Sequence, residues 1–172
     1  GSDPHDFAPS ARQAEAMENA DLLVTNGAGF EEGMLDIIAN VEESGTTTFA
    51  FADHVDLIEF DGSHGVATEG EARGDDDHGV DDPHIWTDPS RMATAVEALG
   101  VELATVDGID ADALGARVDA YVADLMALDS DIDTTLSAIA DDQRVLITNH
   151  EVFGYFADRF GFDIVGAVVP SL

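Results

Sequence analysis

The chain has 172 residues, 45% of them hydrophobic, enough to bury the core of one large or two small domains. Asp and Glu total 37 against 6 Lys and Arg, and the resulting formal charge of -31 excludes nucleic acid and anionic membrane surfaces as partners, because both would repel the protein. There is no cysteine, hence no disulfide, no thiolate zinc site and no cysteine nucleophile, and any metal must be held by His, Asp or Glu.

The first loop, Asp3-Pro4-His5-Asp6-Phe7-Ala8-Pro9, places a histidine just ahead of an Ala- and Glu-rich helix expected over about 10–20. Residues 21–25 read as a short buried strand, ended by the turn signal Asn26-Gly27-Ala28-Gly29. With no lysine in it, this Gly-x-Gly is expected to be a strand-to-helix turn and not a phosphate cradle. Met34, Leu35, Ile37, Ile38 and Val41 then recur at helical spacing over 31–43, with Gly45 as the stop. A β-branched and aromatic strand follows over 46–52. Strand, helix, strand in this order implies a right-handed parallel crossover.

The character changes over 53–82, which holds 11 acidic residues, five glycines and three histidines, His54, His64 and His78. Its middle has too little apolar surface to pack, so it is expected to be a solvated loop. Asp75-Asp76-Asp77-His78 would at best gather cations weakly and would form no rigid site.

The next stretch is Asp81-Asp82-Pro83-His84-Ile85-Trp86-Thr87-Asp88-Pro89. Each proline holds its preceding residue extended, so His84, Trp86 and Asp88 are expected on one side of the backbone, with Ile85 and Thr87 on the other. Asp88 fits an N-cap and Pro89 the first helical position, with Trp86 as a packing anchor. Two readings of His84 stand at this point: a metal ligand, or a histidine packed on the tryptophan of an ordered turn.

A helix over about 89–106 is carried by Met92, Val96, Leu99 and Leu103. The strongest periodicity follows: Leu114, Val118, Tyr121, Leu125, Leu128, Ile132, Leu136 and Ile139 predict one long amphipathic helix over 111–140, unless it breaks near Asp129-Ser130-Asp131. Its length suits a spine between two lobes. Val145 to Thr148 reads as a buried strand that ends at Asn149-His150-Glu151, followed by an aromatic helix over 152–160 closed by Gly161 and a strand over 163–169. His150 thus stands at the carboxyl end of a strand, where open α/β sheets place their ligands. The expected architecture is α/β: a parallel-sheet lobe with flanking helices over 1–110 that carries the acidic loop, the spine over 111–142, and the start of a second α/β lobe over 143–172.

His5, His84 and His150 each stand on a short loop that leads into a helix, and His54, His64 and His78 do not. Strand ends of an α/β sheet can bring such loops together, and neutral imidazoles suit zinc, copper, nickel and iron. These three loops, in this order, resemble the ligand motifs of the zinc- and manganese-type solute-binding proteins of metal ABC transporters, the cluster A-I family. The likeness covers essentially the whole chain, the acidic His-containing loop and the long helix included.

The resemblance implies that His5, His84 and His150 hold one divalent metal in the cleft between lobes. It further implies extracytoplasmic capture for delivery to a membrane ABC permease, with no catalysis, in a protein that is lipoprotein-anchored at full length. Manganese-type members tend to have glutamate where His150 stands, so zinc is the expected metal and manganese the lesser candidate. Measured against the family, a first strand, a lipoprotein signal and most of the second lobe with its fourth ligand position are missing, so the chain is expected to be a fragment, with water in that position. Two readings from other classes remain: a zinc-dependent hydrolase on a three-histidine site with Glu151 as general base, and an acidic binding module with no metal. No His-Glu-x-x-His pair or nucleophile elbow supports the hydrolase.

The acidic, low-lysine surface also leads us to expect a halophilic source, since salt screens self-repulsion. The melting temperature should then climb as potassium chloride is added, and full stability without salt would count against that origin. Imidazoles ligate only when neutral, so metal binding should weaken as pH falls through about 6.5, the ordinary histidine value. Titrations at pH 7.5 and pH 5 check this; equal binding at both would point to carboxylates of the acidic loop instead.

Overall fold

A computed structural model describes residues 5, 7–59 and 81–167. The first helix, α1 (Ala11–Glu18), begins where expected: the Gln13 carboxamide oxygen accepts from the Ser10 amide at 2.9 Å, satisfying a donor that the helix start leaves free. Strand β1 (Leu23–Thr25) pairs in parallel with β2 (Thr48–Ala50), Leu23 opposite Thr48 and Thr25 opposite Ala50, with α2 (Leu35–Glu43) as the connection. The core under this unit is Val41 and Phe49. Both strands are shorter than the sequence predicts, and β1 is not buried, since Val24 is exposed. Two expected elements tighten into 3₁₀ turns, Glu32–Met34 ahead of α2 and Phe51–His54 after β2.

Of the acidic segment, residues 60–80, and with them His64, His78 and the Asp75–Asp77 run, lie outside the described residues. Its two ends meet: Glu59 and Asp81 form an antiparallel bridge, and the Asp82 amide donates to the Ile58 carbonyl at 2.9 Å. The chain therefore returns to the His84 loop at the point where it left.

Helix α3 (Pro89–Leu103) starts at Asp88, whose carboxylate accepts from the Ser90 and Arg91 amides at 2.8 and 3.3 Å, with Pro89 in the first turn. It packs along α4 (Ala111–Leu136). At Gly100 a Cβ would lie 2.8 Å from Val118 Cγ2, so glycine lets the two helices pack there without displacing that side chain. Helix α4 runs 26 residues without a break, about 39 Å at 1.5 Å per residue. Asp129 does not interrupt it. Its buried carboxylate is held by Arg159, whose Nε donates at 2.9 Å and whose second guanidinium nitrogen donates to the other oxygen. Of the expected apolar stripe, Leu114, Val118, Leu125, Ile132 and Leu136 are half-buried, while Tyr121 and Leu128 are exposed.

The final unit is β3 (Val145–Thr148), α5 (Gly154–Phe160) and β4 (Asp163–Ala167), the two strands parallel with an irregular register between Leu146 and Ile147. The expectation of a buried β3 is corrected, because Val145 and Ile147 are exposed. Tyr155, Ala157 and Phe160 are the buried face of α5, and Gly161 ends the helix at φ 69°. Arg144 donates to the Ile139 and Phe160 carbonyls at 3.2 and 3.1 Å, tying the residues after α4 to the end of α5.

Removing one partner of a buried ion pair strands the other charge. Arg159→Gln should therefore lower stability by about 2 kcal/mol, less than the roughly 3–5 kcal/mol of a fully buried pair because the arginine is partly solvated. A denaturant melt of the substituted and unsubstituted chains measures it.

Candidate metal centre

Local hydrogen bonding shapes the His84 loop. Pro83 has no amide to give, and the Asp82 carboxylate folds back over it to accept from the His84 amide at 2.9 Å and from His84 Nδ1 at 2.7 Å. The expected extended alternation is overturned here. The Ile85 amide donates to the Pro83 carbonyl at 2.9 Å and Asp88 to Ile85 at 3.2 Å, so Ile85–Thr87 is a 3₁₀ turn and not a strand-like run. The anchor of the turn is Ile85, fully buried, and not Trp86, which is 43% exposed. Trp86 stands as a wall, its ring 5.3 Å from that of His84.

Because an ionised carboxylate only accepts, in the neutral imidazole the contact at Nδ1 places the ring proton there and leaves the lone pair on Nε2. That Nε2 is buried and has no hydrogen-bond partner among the described residues.

His5 comes from the loop ahead of α1. Its carbonyl accepts from the Gly33 amide at 2.9 Å, and its ring meets the edge of Phe30 at 4.7 Å. Phe30 also touches Trp86 at 5.0 Å, wedged between the two loops. It is placed there by the Asn26-Gly27-Ala28-Gly29 turn, in which residues 27–29 all have positive φ and a Cβ on Gly27 would press on Ala50 and Ala52. Two of the turn amides are occupied internally: Asn26 and Gly27 donate to the Glu31 carboxylate at 2.6 and 3.2 Å. This agrees with the reading of a strand-to-helix turn. Asn26 Nδ2 donates to the Pro83 carbonyl at 2.8 Å, which joins the turn to the His84 loop.

His150 follows the end of β3, its carbonyl accepting from Thr148 Oγ1 at 2.7 Å and from the Val152 amide at 3.0 Å. The three imidazoles face one another with ring centroids 5.4 Å (His5 to His84), 5.5 Å (His84 to His150) and 5.9 Å (His5 to His150) apart. One ring nitrogen from each lies within 4.8 Å of the other two, in the one such grouping of His, Asp and Glu among the described residues. Three nitrogens on one tetrahedral ion at about 2.0–2.1 Å stand roughly 3.4 Å apart, so modest side-chain rotation closes the set. The grouping contains neither Glu151 nor His54, and His54 stacks flat on Phe49 at 4.4 Å.

The structure adds residues that the sequence reading did not select. Asp82 aims His84, and the Asp-Pro-His spacing was its available signal. Tyr155 donates to the Asp82 carbonyl at 2.6 Å, and its hydroxyl accepts from the Ile58 amide at 3.3 Å. Burial raises the Tyr155 phenol above its ordinary pKa, so it remains a donor.

The family described as ZnuA, zinc-uptake complex component A, periplasmic, matches residues 1–171. The manganese-binding lipoprotein MntA of Halalkalibacterium halodurans is 26% identical over 166 residues, covering 96% of this chain and 50% of that protein. The iron ABC transporter substrate-binding lipoprotein MtsA of Streptococcus pyogenes serotype M1 is 25% identical, covering 94% and 50%. The solved structure of the periplasmic zinc-binding protein TroA of Treponema pallidum superposes with a TM-score of 0.77 at 25% identity, over 98% of this chain and 56% of that one. The chain spans about half the length of the curated relatives it matches. With the match running across nearly all of its residues, the chain belongs to the ZnuA family of periplasmic zinc-uptake components.

Proposed function

We propose that this chain carries the metal-binding histidines of an extracytoplasmic solute-binding protein, which captures a divalent transition metal and passes it to an ABC permease. The observation that carries the reading is the bare, buried Nε2 of His84, aimed by Asp82 toward the nitrogens of His5 and His150. A buried nitrogen without a partner costs about 1–3 kcal/mol, and a cation coordinated there would remove that cost. The imidazoles of His5, His84 and His150 are the proposed ligands, and the metal is cargo.

Zinc is the proposed metal and manganese the lesser candidate. The relatives are named for manganese, iron and zinc, so support for zinc comes from the donors: three imidazoles and no carboxylate in the grouping suit zinc better than manganese, a harder ion. We further propose a lobe over 1–110, a spine over 111–142 and the start of a second lobe over 143–172. In support, the two parallel sheets are separate and α4 lies between them in sequence. A lipoprotein anchor in the full-length protein and a saline habitat belong to the same proposal; no described helix is long and apolar enough to cross a membrane. The relatives are named for binding a metal and not for turnover, which leaves the hydrolase reading with Glu151 as base without support.

Titration calorimetry with zinc and manganese, on the unsubstituted chain and on His84→Ala, tests this. Zinc should bind one to one and more tightly than manganese. Loss of a direct ligand should cost more than the roughly 10–100-fold typical of outer partners. Equal zinc affinity in both proteins, or no uptake of either metal, would remove the basis for the proposal.

A further inference from the structure

From α5, the Tyr155 side chain reaches the His84 loop, and it is constrained there on several sides. It is completely buried, its hydroxyl bonds the Asp82 carbonyl on one side and the Ile58 amide on the other, and the Arg91 guanidinium lies 4.8 Å over its ring. Asp82 is held from both ends as a result. Its carbonyl is fixed by Tyr155, and its carboxylate lies against Gly154, where a Cβ would collide with Oδ2. The same carboxylate holds the His84 amide and Nδ1. Four residues upstream of Gly154, the segment that leads into α5 carries His150.

Resting on the reading of the three histidines as a metal centre, we propose that Tyr155 is a positioning residue for that centre. It sets Asp82, and through Asp82 the aim of His84 Nε2, from the helix that follows His150. Two ligands that lie 66 positions apart in sequence are thereby linked by a short physical path: the segment from His150 to Tyr155, the hydroxyl, Asp82 and His84. Displacing the hydroxyl lets Asp82 shift, and the imidazole turns with it. The burial that raises the phenol's pKa keeps it a donor throughout the neutral range.

The test uses the whole chain and cobalt(II) as a spectroscopic stand-in for zinc, with zinc affinity from calorimetry. Tyr155→Phe should weaken zinc binding about tenfold, the low end of what outer partners typically contribute, and should change the cobalt ligand-field bands. A purely structural loss elsewhere should not: Gly100→Ala, which overpacks the α3 and α4 contact, should melt earlier with unchanged affinity and bands. Gly154→Ala pushes Asp82 from its other side without removing a hydrogen bond, and it replaces Tyr155→Phe if that variant does not fold; the expected change has the same sign. In an Asp82→Ala background, Tyr155→Phe should cost nothing further. Unaltered zinc affinity and cobalt bands in the folded Tyr155→Phe or Gly154→Ala protein, or full additivity with Asp82→Ala, would overturn this inference alone. Failure of the unsubstituted chain to take up zinc or cobalt would overturn the metal reading and this inference with it.

Discussion

The candidate site depends on the Asp82 carboxylate lying 2.7 Å from His84 Nδ1. In a chain with a formal charge of -31, burying one more carboxylate is costly unless N–H groups are supplied to it, and here the donors come from the histidine itself. The bond decides the tautomer, turns the ring and leaves Nε2 as a buried lone pair. His5 and His150 then need only reach the volume in front of that atom. Phe30 and Trp86 wall the volume with apolar surface. Such a wall lowers the local dielectric and strengthens whatever electrostatic interaction forms inside it.

The rest of the fold holds this geometry with very few positive charges. Among the described residues, Arg91, Arg144 and Arg159 are tied into the fold by hydrogen bonds, all at or beside α5. Arg91 joins Asp88, at the cap of α3, to Asp158 and to the ring of Tyr155. Arg144 gathers carbonyls after α4 and at the end of α5, and Arg159 neutralises Asp129 in the middle of α4. Arginine suits such places because its planar fork satisfies several acceptors at once, which a lysine cannot do. As a consequence, the segment after His150 is fastened both to the His84 loop and to the long helix.

Much of this was legible in the residues. Asp88 and Pro89 announced the start of α3, Gly161 the end of α5, and the period of Leu114, Val118, Leu125, Ile132 and Leu136 the long helix. The three histidine loops could be picked out from three others because each led into a helix. What misled was purely local: two prolines around Ile85–Thr87 argue for an extended run, yet turn hydrogen bonds and the burial of Ile85 outweigh that preference. The burial of β1 and β3 was overstated for the same kind of reason, since an apolar run records the tendency to be covered and not what covers it.

The sequence by itself determined the elements, their order, the three histidines and the exclusion of thiolate chemistry, because periodicity, capping and residue type are properties of short stretches. Tertiary structure alone decided that nitrogens separated by more than a hundred residues converge within 4.8 Å and that His84 presents Nε2. It likewise decided that Asp129 sits unbroken in its helix against Arg159 and that Tyr155 reaches Asp82 across 73 positions. Each of these rests on a partner distant in sequence, and a hydrogen bond or an ion pair of that span leaves no period or spacing from which it could be read.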